Sequence, residues 1–193
     1  MPLLLAANKQ RLWLWLAFAV IFPVTALLLH AEGRLWICAC GKVLAWSGRV
    51  CSADNSQHFL DPFSFTHLLH GILFFWLIYW LAPRWSATSQ LLLATAAEAA
   101  WELLENTNFI IDRYRSATAA LGYNGDTVVN SFGDILCCVA GFLIARRLGL
   151  RRSLVLFFVI ELVLLVWIHD SLLLEILMLI HPLNAIKAWQ LCG

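Results

Sequence analysis

Charge is what this chain has least of. Of its 193 residues only 13% are Asp, Glu, Lys or Arg, while 62% are hydrophobic and the mean hydropathy is +0.79. Soluble domains carry about 25% charged residues, so a water-facing surface of this size would go uncovered. An excess of one sign is missing too: the net charge is +1. With no basic tract carrying interleaved aromatics, nucleic acid is excluded as a partner. HExxH is absent, as are a zinc-finger cysteine pair with a matching second half and a serine nucleophile elbow, so the usual local signatures of metalloproteases, zinc modules and serine hydrolases fail.

Long apolar runs are what the chain has instead. A membrane helix needs roughly 20 mainly apolar residues. Arg11–His30 qualifies first, and its length with no A-x-A site after it reads as an anchor rather than a cleaved leader. Further spans are predicted at about Phe65–Ala82, Ser89–Phe109, Thr127–Ala145 and Ser153–Ile168. The run from Ser171 to Gln190 is broken by Pro182 and reads equally as interfacial, re-entrant or a sixth span. The expected fold is therefore all-α, one polytopic bundle of five to six helices over residues 1–193. Ten Trp and twelve Phe suit aromatic belts in a lipid bilayer.

Lys9, Arg11, Arg84 and the quartet Arg146, Arg147, Arg151 and Arg152 fall on one side of a five-span arrangement. The positive-inside rule makes that side cytoplasmic, with the N-terminus in. The loop at about residues 31–64 is then non-cytoplasmic. An oxidising compartment permits Cys51 to pair with Cys38 or Cys40 there.

The scarce ionisable residues are not scattered. Glu98, Glu102 and Glu105 share one helix face, and Asp126, Asn130 and Asp134 step by four along another. His67 and His70 are three apart. All three sets enter their spans from the non-cytoplasmic side and descend about 10–12 Å, which predicts one pocket. Around its mouth the sequence supplies His58, Asp61, Asn106, Arg113, Arg115 and His169, with the two arginines suited to a carboxylate or an anionic head group. Each residue alone has a plainer reading as a cap, an ion pair or a solvated helix end, and Gly133 and Gly141 suit close helix packing. Together, intramembrane ionisable groups point to function.

At these residues the chain resembles a known family. "LWICACG", "SQHFLDPFSFTHLLHG", "EAAWELLENTNFIIDRYR", "GDTVVNSFGDI" and "MLIHPLNAIKAWQ" resemble an uncharacterised family, a domain of unknown function, of small bacterial multi-pass inner-membrane proteins. The resemblance implies the bacterial cell inner membrane and little chemistry. A looser similarity, over about Asp61–Phe142, is to the VanZ-like group associated with glycopeptide resistance. It rests on Asp61, His67, His70, Glu98, Glu102, Arg113, Asp126, Asn130, Asp134 and Gly141. Extra acids in span three, the added first span and a distinct tail depart from that pattern.

Three functional expectations follow. The foremost is an enzyme acting on a lipid-linked or head-group substrate, with His67 or His70 as base and Glu98 or Glu102 moving protons. In the same site His67, His70, Glu102 and Asp134 offer ligand types for a divalent metal. The alternatives are a proton or solute-binding transport module and a non-catalytic accessory protein meeting an envelope partner.

Overall fold

The structure, a computed structural model, describes residues 2–118 and 122–191, with side chains from Leu12 onward. Every element among them is helical: α1 Pro2–Ala31, α2 Ser64–Leu81, α3 Ala87–Glu105, α4 Asn108–Ala117, α5 Val128–Leu148, α6 Leu150–Trp167, α7 Leu172–Ile180 and α8 Asn184–Gln190. Local chemistry sets the boundaries. Ser86, Thr107, Thr127 and Ser171 each accept a backbone N–H with the side chain and start α3, α4, α5 and α7. Pro83 follows the end of α2, and Gly149, at φ 75°, forms the one-residue corner between α5 and α6.

The helices α1, α2 and α5 are long and apolar enough to cross a membrane. The pair α6 and α7, bent by 71° at its break, makes a fourth candidate. The fifth long helix, α3, has 19 residues, but a polar first turn and interior glutamates lower its hydropathy. The tail, open among three readings in the sequence, turns back. At nine residues α7 is only about 14 Å long, well short of a hydrocarbon core of about 30 Å.

The centre of the bundle is α2 packed on α5. A Cβ on Gly71 would lie 2.0 Å from the Cys138 carbonyl oxygen, and one on Gly141 would lie 2.0 Å from that of Leu68. Each helix thus lays a glycine against the other's backbone, the close approach that small residues allow between membrane helices. Gly133 does the same against Phe59 O, where a Cβ would sit at 1.8 Å. Leu69, Ile72, Phe75 and Phe142 fill the adjoining core, and Trp76 Nε1 donates to Ser153 Oγ on α6.

Polarity is inverted relative to a soluble protein. Leu27, Leu77, Leu143, Val155, Leu162 and Val166 project outward uncovered, while Glu98, Glu102, Asn106 and Asn130 are fully buried. One end of the bundle carries Arg84 and the four arginines around Gly149; the other carries the long loops. At this loop end Val128 and Val129 N–H donate to Leu35 and Trp36 O, and Thr127 N–H to Ser56 O. The two loops are thereby tied into one cap. Within it the structure joins Cys38 to Cys40, correcting the expected bond from Cys51 to one of them. A tight turn, closed by Gly41 N–H on Cys38 O, brings those two together.

Candidate functional site

His67, one turn into α2, is the hub of the buried polar cluster. Its Nδ1 lies 2.6 Å from Glu98 Oε1 and 3.2 Å from Glu102 Oε1, both on α3. Its Nε2 lies 4.0 Å from Asp134 Oδ2 on α5. One turn on, His70 Nδ1 approaches the same Glu98 carboxylate at 3.1 and 3.2 Å. The three helices meet here because Glu98 and Glu102, four apart, stack on one face of α3, while the α2–α5 glycine contact draws Asp134 in from the other side. The five residues expected to form the chemical centre are thus brought together.

Their environment leaves much unsatisfied. Both oxygens of Glu102, Asp134 Oδ1, Asn130 Oδ1 and Ser131 Oγ are buried without a hydrogen-bond partner. The ion-pair partners of Glu98, Glu102 and Asp134 are histidines. Native interiors rarely leave buried polar atoms unpaired, and each exception asks for an explanation.

A cavity of about 110 Å³ opens beside the cluster, lined by Thr66, His67, His70, Trp101, Glu105, Tyr114, Leu172, Glu175, Ile176 and Leu179. Glu105 borders it and accepts from Tyr114 Oη at 3.0 Å. The returning α7 roofs it and brings Glu175, which sequence reasoning did not place here. The signal existed, a single acid inside "LLLEILMLI", but only the fold-back gives it a destination. The roof is pinned by Arg113, whose Nε and Nη2 donate to Leu179 O and Ile180 O at 2.8 and 3.4 Å. Glu161 Oε2 accepts from Leu173 N–H at the α7 start.

Most of the other sequence candidates serve the cap. Asn106 Nδ2 donates to Asp126 Oδ2 at 2.9 Å, and Asp126 N–H donates back to Asn106 Oδ1 at 2.7 Å. Tyr123 Oη also donates to Asp126, at 2.9 Å. Burial pushes the Asp126 carboxyl above its usual range, against the lowering effect of those two donors. Asp61 is likewise raised, by burial and then by the nearby Asp126, although it accepts from Ser56, Phe63 and Ser64 N–H. Asn130 Nδ2 donates to His58 O. Arg115 donates to Tyr123 O at 2.5 Å and to Asn124, so it and Arg113 are bound to protein atoms rather than turned to a ligand. His169 stands on the surface, stacked on Trp189 at 4.6 Å.

Two sets of side chains near His67 bring ligand atoms within 4.8 Å of one another: His67, His70 and Glu98, and His67, Glu102 and Glu105. A third, of Cys38, Cys40, Asp54 and His58, lies in the cap. There the thiols are joined to each other, and His58 Nδ1 already accepts the Leu44 N–H.

Comparison with known proteins places this geometry in a family. Residues 29–192 match the model described as "Protein of unknown function (DUF2585)". The chain belongs to the DUF2585 family. It is 46% identical over 185 residues to a UPF0314 protein of Sinorhizobium fredii, covering 95% of this chain and 94% of that one. A UPF0314 protein of Sphingopyxis alaskensis is 44% identical, with 93% and 95% covered, and one of Brucella anthropi 39% identical, with 98% of each covered. No solved structure matches. As a DUF2585 protein the chain takes on no chemistry from its relatives' names, so function rests on the cluster itself.

Proposed function

We propose that this DUF2585 protein is a multi-pass protein of the bacterial inner membrane, with its N-terminus and arginine end in the cytoplasm and its loop end outside. There it acts as an enzyme on the polar part of a lipid-linked or head-group substrate. The observation that carries the reading is the convergence of His67, His70, Glu98, Glu102 and Asp134 from three helices beside a cavity at the loop end. Burying such groups in a bilayer costs several kcal/mol unless they are paired, and they persist where they work. The apolar outer girth and the arginines at one end support the membrane setting and orientation. The VanZ-like similarity of Asp61–Phe142 supports an envelope role and adds no chemistry.

In this reading the site has an electrophilic and a basic side. Glu98 holds both imidazoles through Nδ1 and keeps them facing the cavity. Glu102, with no hydrogen bond to either oxygen, and Glu105, on the cavity wall, accept a proton from an attacking water or hydroxyl. Leu69, Ile72, Phe75 and Phe142 form a buried apolar layer next to His70 toward the arginine end, which speaks against through-transport of ions. The test is lipid profiling of a deletion strain complemented with wild type or with His67→Ala, Glu102→Gln or Asp134→Asn, each at equal membrane abundance. The reading expects a lipid-linked species to accumulate in the deletion and in all three variants. Profiles matching wild type in all three would end it.

A further inference from the structure

The imidazole side of the cluster has the make-up of a metal centre. His67 and His70 lie three apart on α2, so their rings leave the same face, and Glu98 meets both from α3. The three side chains offer ligand atoms within 4.8 Å of one another. Two nitrogens and a carboxylate with an open side are the donor set of catalytic zinc, and of some non-haem iron centres. We propose that His67 Nδ1, His70 Nδ1 and the Glu98 carboxylate bind one divalent transition-metal ion of the zinc type. The proposal rests on the site reading above and supplies its electrophile.

Four further observations support it. The first is spacing. Bonds of about 2.0–2.1 Å in a tetrahedron separate neighbouring donors by about 3.3 Å. His70 Nδ1 stands 3.1 and 3.2 Å from the Glu98 oxygens. The 2.6 Å contact of His67 Nδ1 with Glu98 Oε1 is a hydrogen bond that the ion replaces by widening it modestly. The second is charge. Glu102, fully buried, has no hydrogen-bond partner on either oxygen, and Oε1 lies 3.2 Å from His67 Nδ1. A cation would neutralise these acids where the structure supplies imidazoles as their ion-pair partners. The third is orientation. His67 Nε2 points toward Asp134 Oδ2 at 4.0 Å, the place of the carboxylate that holds a metal-bound imidazole, here reached through a water or a small ring shift. The fourth is access, since both imidazoles border the cavity. A bound water at the open position would be acidified by the metal and could lose its proton to Glu102 or Glu105.

The experiment uses the full chain purified in detergent, stripped with chelator, reloaded with Zn(II) and desalted, then analysed for metal. Cobalt loading gives a visible spectrum as an independent readout, and thermal unfolding of each variant reports folding. Wild type is expected to hold about one ion per chain. His70→Ala and Glu98→Gln should lose it. Asp134→Asn should still bind but about 10–100-fold more weakly, and the double change Cys38→Ser with Cys40→Ser should bind as wild type does. Wild type that takes up neither Zn(II) nor Co(II), or folded His70→Ala and Glu98→Gln that bind as well as wild type, overturns the metal site. A lipid phenotype for Glu102→Gln together with a metal-free wild type would sink the metal and keep the site. One bound ion without any lipid change in the deletion strain would do the reverse.

Discussion

Replacing Gly141 by alanine adds one carbon at one of the tight contacts between α2 and α5. The new Cβ would meet Leu68 O at 2.0 Å and Leu68 C at 2.9 Å, whereas ordinary contact begins at 3.4 Å. Both obstacles are backbone, so no rotamer change relieves them. The α2 and α5 helices must part by up to about 1.4 Å locally, the difference between ordinary contact and 2.0 Å. Overpacking of this kind costs about 1–3 kcal/mol. Leu68 neighbours His67, so the same displacement widens the gap of 4.0 Å from His67 Nε2 to Asp134 Oδ2. A misplacement of about 1 Å at a reacting centre can cost about 100-fold in rate. Gly141→Ala should therefore lower the detergent unfolding midpoint and also remove complementation in the lipid assay while the protein remains folded. Leu143→Ala, two residues and so about half a helical turn on, on the outward face and 46% exposed, is the control and should stay within about 0.5 kcal/mol of wild type. Wild-type stability and wild-type lipid profiles in Gly141→Ala would refute the claim that this contact sets the site.

Stability and function should separate at the acids. Glu102→Gln keeps the shape of a buried carboxylate that makes no hydrogen bond and that His67, held more closely by Glu98, faces only at 3.2 Å, so the variant should unfold near the wild-type midpoint yet fail in complementation. His67→Ala, which removes an ion-pair partner from both Glu98 and Glu102, should instead cost about 3–5 kcal/mol. The cap should loosen as pH rises: Asp61 and Asp126 have folded-state values above the ordinary 3.8, so their fold favours the protonated form, the contribution is complete below about 4 and is lost on passing the raised values. Hydrogen exchange in residues 122–127 should accordingly speed up from pH 4 to pH 8 after correction for intrinsic rates, with a flatter profile in Asp126→Asn. Arg113→Ala should lose its charged bonds to the α7 carboxyl end, worth about 1.5–3 kcal/mol in all; hydrogen exchange should then rise across residues 172–180 first, and an unchanged pattern would contradict the pinned roof.

Much of this site could be read from residue spacing. Glu98 and Glu102 lie on one side of α3 because four residues nearly complete a turn, and His67 and His70 follow the same arithmetic on α2. Their meeting with Asp134 followed from the expected spans, since all three sets descend from one end. The roles of Arg113 and Arg115 were not legible in this way. Both looked free to hold an anion, but whether an arginine is free depends on which carbonyls the chain later brings to it, and α7 and the 122–127 loop bring several. Glu175 was hidden for the same reason: it lies far along the chain from the other acids and joins them only because α7 bends back. The cysteine pairing depended on a local turn at residues 38–41 that composition does not reveal.

By itself the sequence determined that this protein is helical, apolar on the outside and polar at one buried place. Helical period and the cost of burying charge act over one or two turns and need no knowledge of the rest. The tertiary structure alone decided which imidazole touches which carboxylate, how near α2 and α5 approach, and what closes the cavity. Those outcomes depend on contacts between segments far apart in the chain, where one glycine against a carbonyl or one arginine under a helix end sets distances that no local pattern encodes.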